Sequence, residues 1–88
     1  MIIMKALIAA DYQQKIKAFA KLETKGSNIF IGDSMIAYLN LSHYGFPHAI
    51  NMGIAGDTTQ GVINRLDLVK RLQTKRVFVS IGSNDLVF

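Results

Sequence analysis

At 88 residues, with no cysteine and a net charge of +4, the chain has room for one domain and for no disulfide or thiolate metal site. Half of the residues are apolar, which sets it apart from disordered chains, yet a chain this short buries only about 60–65% of its unfolded surface. Its lysines are scattered rather than clustered with aromatics, so the charge is not the footprint of a nucleic-acid surface.

The first ten residues are apolar apart from Lys5. They are too short for a signal peptide, and no charged stretch precedes the apolar one. No run reaches the length of a membrane span, so a cytoplasmic location is expected and the segment is read as packing on the domain or on a partner chain. Asp11 is expected to cap a helix that runs to about Lys25. Its apolar side is Tyr12, Ile16, Phe19 and Leu22, its solvated face is Lys15, Lys17, Lys21 and Lys25, and Gly26 ends it. A first strand is expected at Ile29–Ile31. After Gly32-Asp33-Ser34, a second helix is expected over 35–44, with Met35, Ile36 and Leu39 on one side and Gly45-Phe46-Pro47 as its stop. Residues 49–53 read as a short second strand. Asp57 with Gln60 three residues later fits a capping box for a third helix, whose stripe is Val62, Leu66, Val69 and Leu72. Val77–Ile81, rich in β-branched residues, reads as the third strand. The chain closes on Gly82-Ser83-Asn84-Asp85-Leu86-Val87-Phe88.

Strands alternating with helices predict an α/β fold, a parallel sheet with helices on its faces. Right-handed crossovers place the three strand exits on one rim, so Ser34, Gly56 and Asn84 converge there. Acyl transfer needs a nucleophile and donors aimed at the developing oxyanion. Ser34 could supply the hydroxyl and one N–H, Gly56 a second N–H, and the Asn84 carboxamide a third donor. Each residue also has a plain structural reading. Ser34 would be an N-cap, Gly56 a backbone-angle requirement, Asn84 a turn tie and Asp57 a cap.

In order along the chain, Gly32-Asp33-Ser34, Asn51-Met52-Gly53-Ile54-Ala55-Gly56-Asp57-Thr58-Thr59 and Gly82-Ser83-Asn84-Asp85 resemble the first three sequence blocks of the SGNH (GDSL-type) esterases and lipases. The wording of the blocks looks most like the branch that contains the platelet-activating-factor acetylhydrolase catalytic subunits. The resemblance spans residues from about 12 to 88. It implies a flavodoxin-like three-layer αβα fold, here a truncated one with three parallel strands in the order 2-1-3. It also implies Ser34 as nucleophile and Ser34, Gly56 and Asn84 as the oxyanion hole, with Gly32, Asp33, Asp57 and Asp85 as supporting motif residues. The substrate class would be a small-molecule acyl or acetyl ester, with no cofactor.

In that family the general base is a histidine in an Asp-x-x-His block near the C-terminus, and this chain has no such block. His43 lies nine residues along from Ser34, about 13 Å at helical rise, and His48 precedes the second strand at the opposite sheet edge. Neither is expected to serve, so the residues 1–88 read as the N-terminal portion of a hydrolase domain, without efficient activity alone. The third strand would then leave Val77, Phe78, Val79 and Ile81 at an open edge, which implies a homo-oligomer or a companion C-terminal fragment. Two other functions fit less of the sequence. One is a non-enzymatic oligomeric module. The other is a phosphate- or flavin-binding module built on Gly56-Asp57-Thr58-Thr59, against which stands the lack of a P-loop or GxGxxG pattern.

Overall fold

The computed structural model describes residues 2–82 and residue 85, with side chains from residue 9 onward. Three strands form one parallel sheet: β1 (Asn28–Gly32) in the centre, β2 (Ile50–Gly53) on one side and β3 (Arg76–Ser80) on the other. The order β2-β1-β3 is the expected 2-1-3, and each strand lies within one residue of its predicted limits.

The alternation of side chains along β1 divides the core into two layers. Ile29 and Ile31 point to one face, where Phe19, Met52, Ile54, Val62, Val69 and Leu72 complete a buried cluster. Tyr12 and Ile16 of the first helix, α1 (Ile2–Ala20), and Leu22 just beyond its end pack against it. Phe30 points to the other face, against Ile36 of α2 (Ser34–Ala37) and Leu41 of the following turns. On that side Phe30 stacks on Phe78 of β3 at 4.5 Å between ring centroids, and Phe46 meets Phe30 edge-on at 5.1 Å. The molecule is therefore a three-layer α/β/α arrangement.

All three predicted helices differ from their expected limits, each for an identifiable reason. The helix α1 begins at Ile2, so Asp11 lies inside it and is not a cap. It ends at Ala20, well before Gly26, because Arg71 supplies the stop: its guanidinium donates to the carbonyls of Phe19, Ala20 and Leu22 at 3.2, 3.1 and 2.8 Å. A cation on the last carbonyls satisfies groups that have no intrahelical partner. The second helix is one turn long rather than ten residues. The Asn51 carboxamide donates to Ile36 O at 2.7 Å and Leu39 O at 3.4 Å, taking the carbonyls a longer helix would need.

The expected third helix is two, α3 (Thr59–Asn64) and α4 (Leu66–Arg71), separated at Arg65. Its cap is Thr58, whose Oγ1 accepts from Gly61 N at 3.1 Å, and not Asp57. Gln60 bonds Asn64 instead of closing a capping box. The apolar stripe itself is as expected, with Val62, Val69 and Leu72 buried and Leu66 packed on the cluster.

Gly32 closes β1 where β3 runs alongside, and a Cβ there would lie 2.0 Å from the Ser80 carbonyl oxygen. The contact is backbone, so it cannot yield by a rotamer change. Gly32→Ala is expected to cost about 3 kcal/mol, the upper part of the usual overpacking range, read as a lower urea midpoint at unchanged slope.

Candidate functional site

The carboxyl ends of β1 and β2 deliver two loops to the same rim of the sheet, as parallel strands must. The first is Gly32-Asp33-Ser34. Asp33 is extended, buried to 3%, and its carboxylate accepts from Met35 N at 3.0 Å, so Asp33 is the N-cap of α2. The reading of Ser34 as a cap is thereby corrected: Ser34 is the first residue of the helix, half-buried. Among the described residues its hydroxyl makes no hydrogen bond.

The second loop is Ile54–Asp57. Asp57 N donates to Ile54 O at 3.1 Å, closing a turn in which Gly56 has φ +83°. That angle is the third-position angle of a type II turn, which only a residue without a Cβ adopts freely. The structural reading of Gly56 therefore holds. Its N–H stays outside the turn's own hydrogen bond, which runs between Ile54 and Asp57. Ile54 N donates to Gly32 O at 3.0 Å, so the two loops leave the sheet directly joined.

Beneath the rim sits a group that the motif reading overlooked. Arg65, 3% exposed, donates to Asp57 Oδ2 from Nε at 2.9 Å and from Nη2 at 2.6 Å. The same guanidinium donates to Gly32 O at 3.1 Å and to Met52 O. One side chain thus ties the ends of β1 and β2 to the loop that precedes α3. Asp57 is further bonded by Thr58 N at 2.9 Å and by the Tyr12 hydroxyl at 3.1 Å, which brings α1 into the network. Arg65 also lies over the Phe19 ring, 5.8 Å from its centroid. Its position was a signal: three residues beyond Val62 it falls on the apolar stripe, where an arginine is tolerated only with a buried partner.

Burial and the neighbouring Asp57 carboxylate push the Tyr12 hydroxyl above its ordinary value of 10.0. At the third loop, Asp85 accepts from Thr59 N at 2.9 Å and from the Thr59 hydroxyl, which holds its carboxyl below the usual 3.8. Asp85 is thus tied to the first residue of α3. Asn84 lies outside the described residues.

The two histidines are elsewhere. His43 is exposed in the turns after α2, its N–H donating to the Asn40 side chain and its ring against Tyr44. His48 lines a cavity of about 310 Å³ with Asn28, Phe46 and Lys75, at the end of the sheet where β1 begins. No group of three or more His, Cys, Asp or Glu residues arranged to hold a metal is found among the described residues. No helix of the described residues is long and apolar enough to cross a membrane.

The chain matches no protein-family model, and no curated protein matches it. Its fold is similar to a solved structure from Streptococcus pneumonia, provisionally named a platelet activating factor. The two share 19% identity at a TM-score of 0.73, over 94% of this chain and 42% of that one. The chain thus spans less than half the length of that neighbour, and at this identity the likeness is one of fold.

Two outcomes follow from the buried network. Arg65→Met strands the Asp57 carboxylate and is expected to cost about 3–5 kcal/mol, enough to unfold a chain of this size. Adding Asp57→Leu should recover part of that loss, which a double-mutant cycle in urea measures. The raised Tyr12 value gives the second. The folded state holds this proton more tightly than the unfolded chain, so stability is intact below pH about 10 and falls as pH climbs through the folded-state value. Alkaline unfolding followed by circular dichroism should show that loss, and Tyr12→Phe should remove the Tyr12 contribution to it.

Proposed function

We propose that this chain carries the nucleophile and oxyanion portion of a serine ester hydrolase domain, with Ser34 as the attacking residue. The observation that supports the reading best is the division of labour at the β1–α2 turn. Asp33 caps the helix, so the Ser34 hydroxyl at the sheet rim is not spent on a structural bond. The order of the three sequence blocks and the fold-level likeness to a longer protein provisionally named a platelet activating factor point the same way.

In this reading an acyl ester sits on the rim with its carbonyl carbon at Ser34 Oγ. The Gly56 N–H, held out by the type II turn, meets the oxyanion together with the Ser34 N–H and the Asn84 carboxamide. Arg65 and Asp57 take no part in bond making. They hold the two loops in register, because the guanidinium bonds the strand ends from which both depart. His43 and His48 are not at the rim, so in this reading neither takes the Ser34 proton. Losing the histidine of a serine triad costs on the order of 10⁶ in turnover, with roughly 10³–10⁴ over water remaining from binding and the oxyanion hole.

The purified chain is expected to hydrolyse p-nitrophenyl acetate only slowly, and Ser34→Ala should abolish what there is. Added imidazole, a soluble stand-in for the base, should raise the rate of the native chain above that of Ser34→Ala under the same conditions. Equal rates for the two proteins with imidazole would overturn the assignment of Ser34.

A further inference from the structure

The sheet order β2-β1-β3 leaves the two outer strands unpaired with each other, about 9–10 Å apart across β1. Their exits are nonetheless joined by direct bonds. Thr59, the first residue of α3, donates from its N–H to Asp85 Oδ1 at 2.9 Å and from its hydroxyl to Asp85 Oδ2. Thr59 belongs to the segment that leaves β2, and Asp85 to the one that leaves β3. The pair therefore bridges the strands on either side of β1, whose own exit is Gly32-Asp33-Ser34.

Each half of the pair is anchored. On the β2 side, Asp57 N closes the turn that holds Gly56, Arg65 fixes the Asp57 carboxylate, and Thr58 caps α3. Thr59 thus follows Gly56 after a stretch of constrained backbone. Because Thr58 supplies the cap, the Thr59 hydroxyl is not needed to start the helix. On the β3 side, Ile81, expected at the open sheet edge, packs instead against the core cluster, and Asp85 N donates to Gly82 O at 3.1 Å. Asn84 is the residue next to Asp85 in sequence, and neighbouring Cα atoms are about 3.8 Å apart. A carboxylate that accepts two bonds makes both of them charge-assisted, the stronger kind. The pair is exposed, so it adds little to the stability of the fold. What it fixes is the position of one loop against the other.

We propose, resting on the assignment of Ser34, Gly56 and Asn84 to ester hydrolysis made above, that Thr59 is a positioning residue of that site. By gripping Asp85 it sets the distance between the Gly56 N–H and the Asn84 carboxamide. Thr59 itself touches no reacting atom. Donors stabilise an oxyanion only when they are already aimed at it, and a misplacement of about 1 Å can cost on the order of 10²-fold in rate. The Gly56 N–H is set by its own turn. A side-chain donor on a loop from another strand needs an outside hold, and the Thr59–Asp85 pair is that hold.

The test is imidazole-assisted hydrolysis of p-nitrophenyl acetate by the full chain, taken as the Ser34-dependent part, with circular dichroism as the check on folding. Thr59→Val keeps the N–H and the shape of the side chain but loses the hydroxyl. It should lower kcat about tenfold at nearly unchanged KM, less than the roughly 10²–10³ that loss of a whole oxyanion donor costs. Thr59→Ser should keep the native rate, and in an Asn84→Ala background Thr59→Val should have no further effect. A second readout is NMR relaxation of the Asn84 side-chain amide, which should gain fast motion in Thr59→Val and not in Thr59→Ser. A Thr59→Val rate equal to the native one, a Thr59→Ser rate as low as that of Thr59→Val, or an effect that persists in full without Asn84 would each overturn the proposal. So would an Asn84 amide indifferent to Thr59. Equal rates for the native chain and Ser34→Ala would instead overturn the reading of the site, and the relaxation result tells that failure from a failure of the Thr59 hold.

Discussion

The buried guanidinium of Arg65 is the constraint on which the carboxyl rim of this protein depends. It is bonded to the Asp57 carboxylate, to the Gly32 carbonyl that ends β1 and to the Met52 carbonyl next to the end of β2. A carbonyl has two lone pairs, and the Gly32 oxygen takes one bond from Ile54 N and a second from Arg65. One planar, five-donor cation serves two carbonyls and a carboxylate at once, which a lysine at the same place could not do. The geometry also breaks the helix that follows, since Arg65 turns away from helical backbone angles between α3 and α4. Local irregularity and rim order are two results of the same contact.

Arginine plays a second, separate role at the other end of the helical layer. Arg71 holds the closing carbonyls of α1 from α4, an element some fifty residues later in the chain. Together with the Tyr12–Asp57 bond, this ties the amino-terminal helix to the body of the domain at two points. The opposite layer is thinner, one turn of helix and a series of turns, and it relies on Asn51 and on the Phe30, Phe46 and Phe78 rings. For a small domain, polar ties of this kind supplement a limited apolar core.

A rim built this way separates structural from chemical roles. Asp33, Asp57 and Thr58 take the capping and pairing duties that sequence spacing had shared among Ser34, Asp57 and Gln60. Gly56 has a backbone reason to be glycine, whatever its N–H does. The Ser34 hydroxyl makes no hydrogen bond among the described residues, and its contrast with the engaged side chains of Asp33, Asp57 and Thr58 directs attention to it.

The sequence by itself determined the α/β class, the three strands and the residues facing the main core. These follow from short-range rules: β-branched runs such as Val77–Val79, and the spacing of Val62, Val69 and Leu72 on one face. The strand order was legible through the resemblance of three sequence blocks rather than through any local pattern. The caps Asp33 and Thr58 bond within three residues and were misassigned among local candidates. Where the helices stop, by contrast, was decided only by the tertiary structure, because the groups that stop them lie far away in sequence. Arg71 stops α1, Asn51 stops α2, and Arg65 divides α3 from α4. Local spacing cannot report a bond made across 15 to 52 residues, and in this protein such bonds set where α1 and α2 end and where α3 and α4 divide.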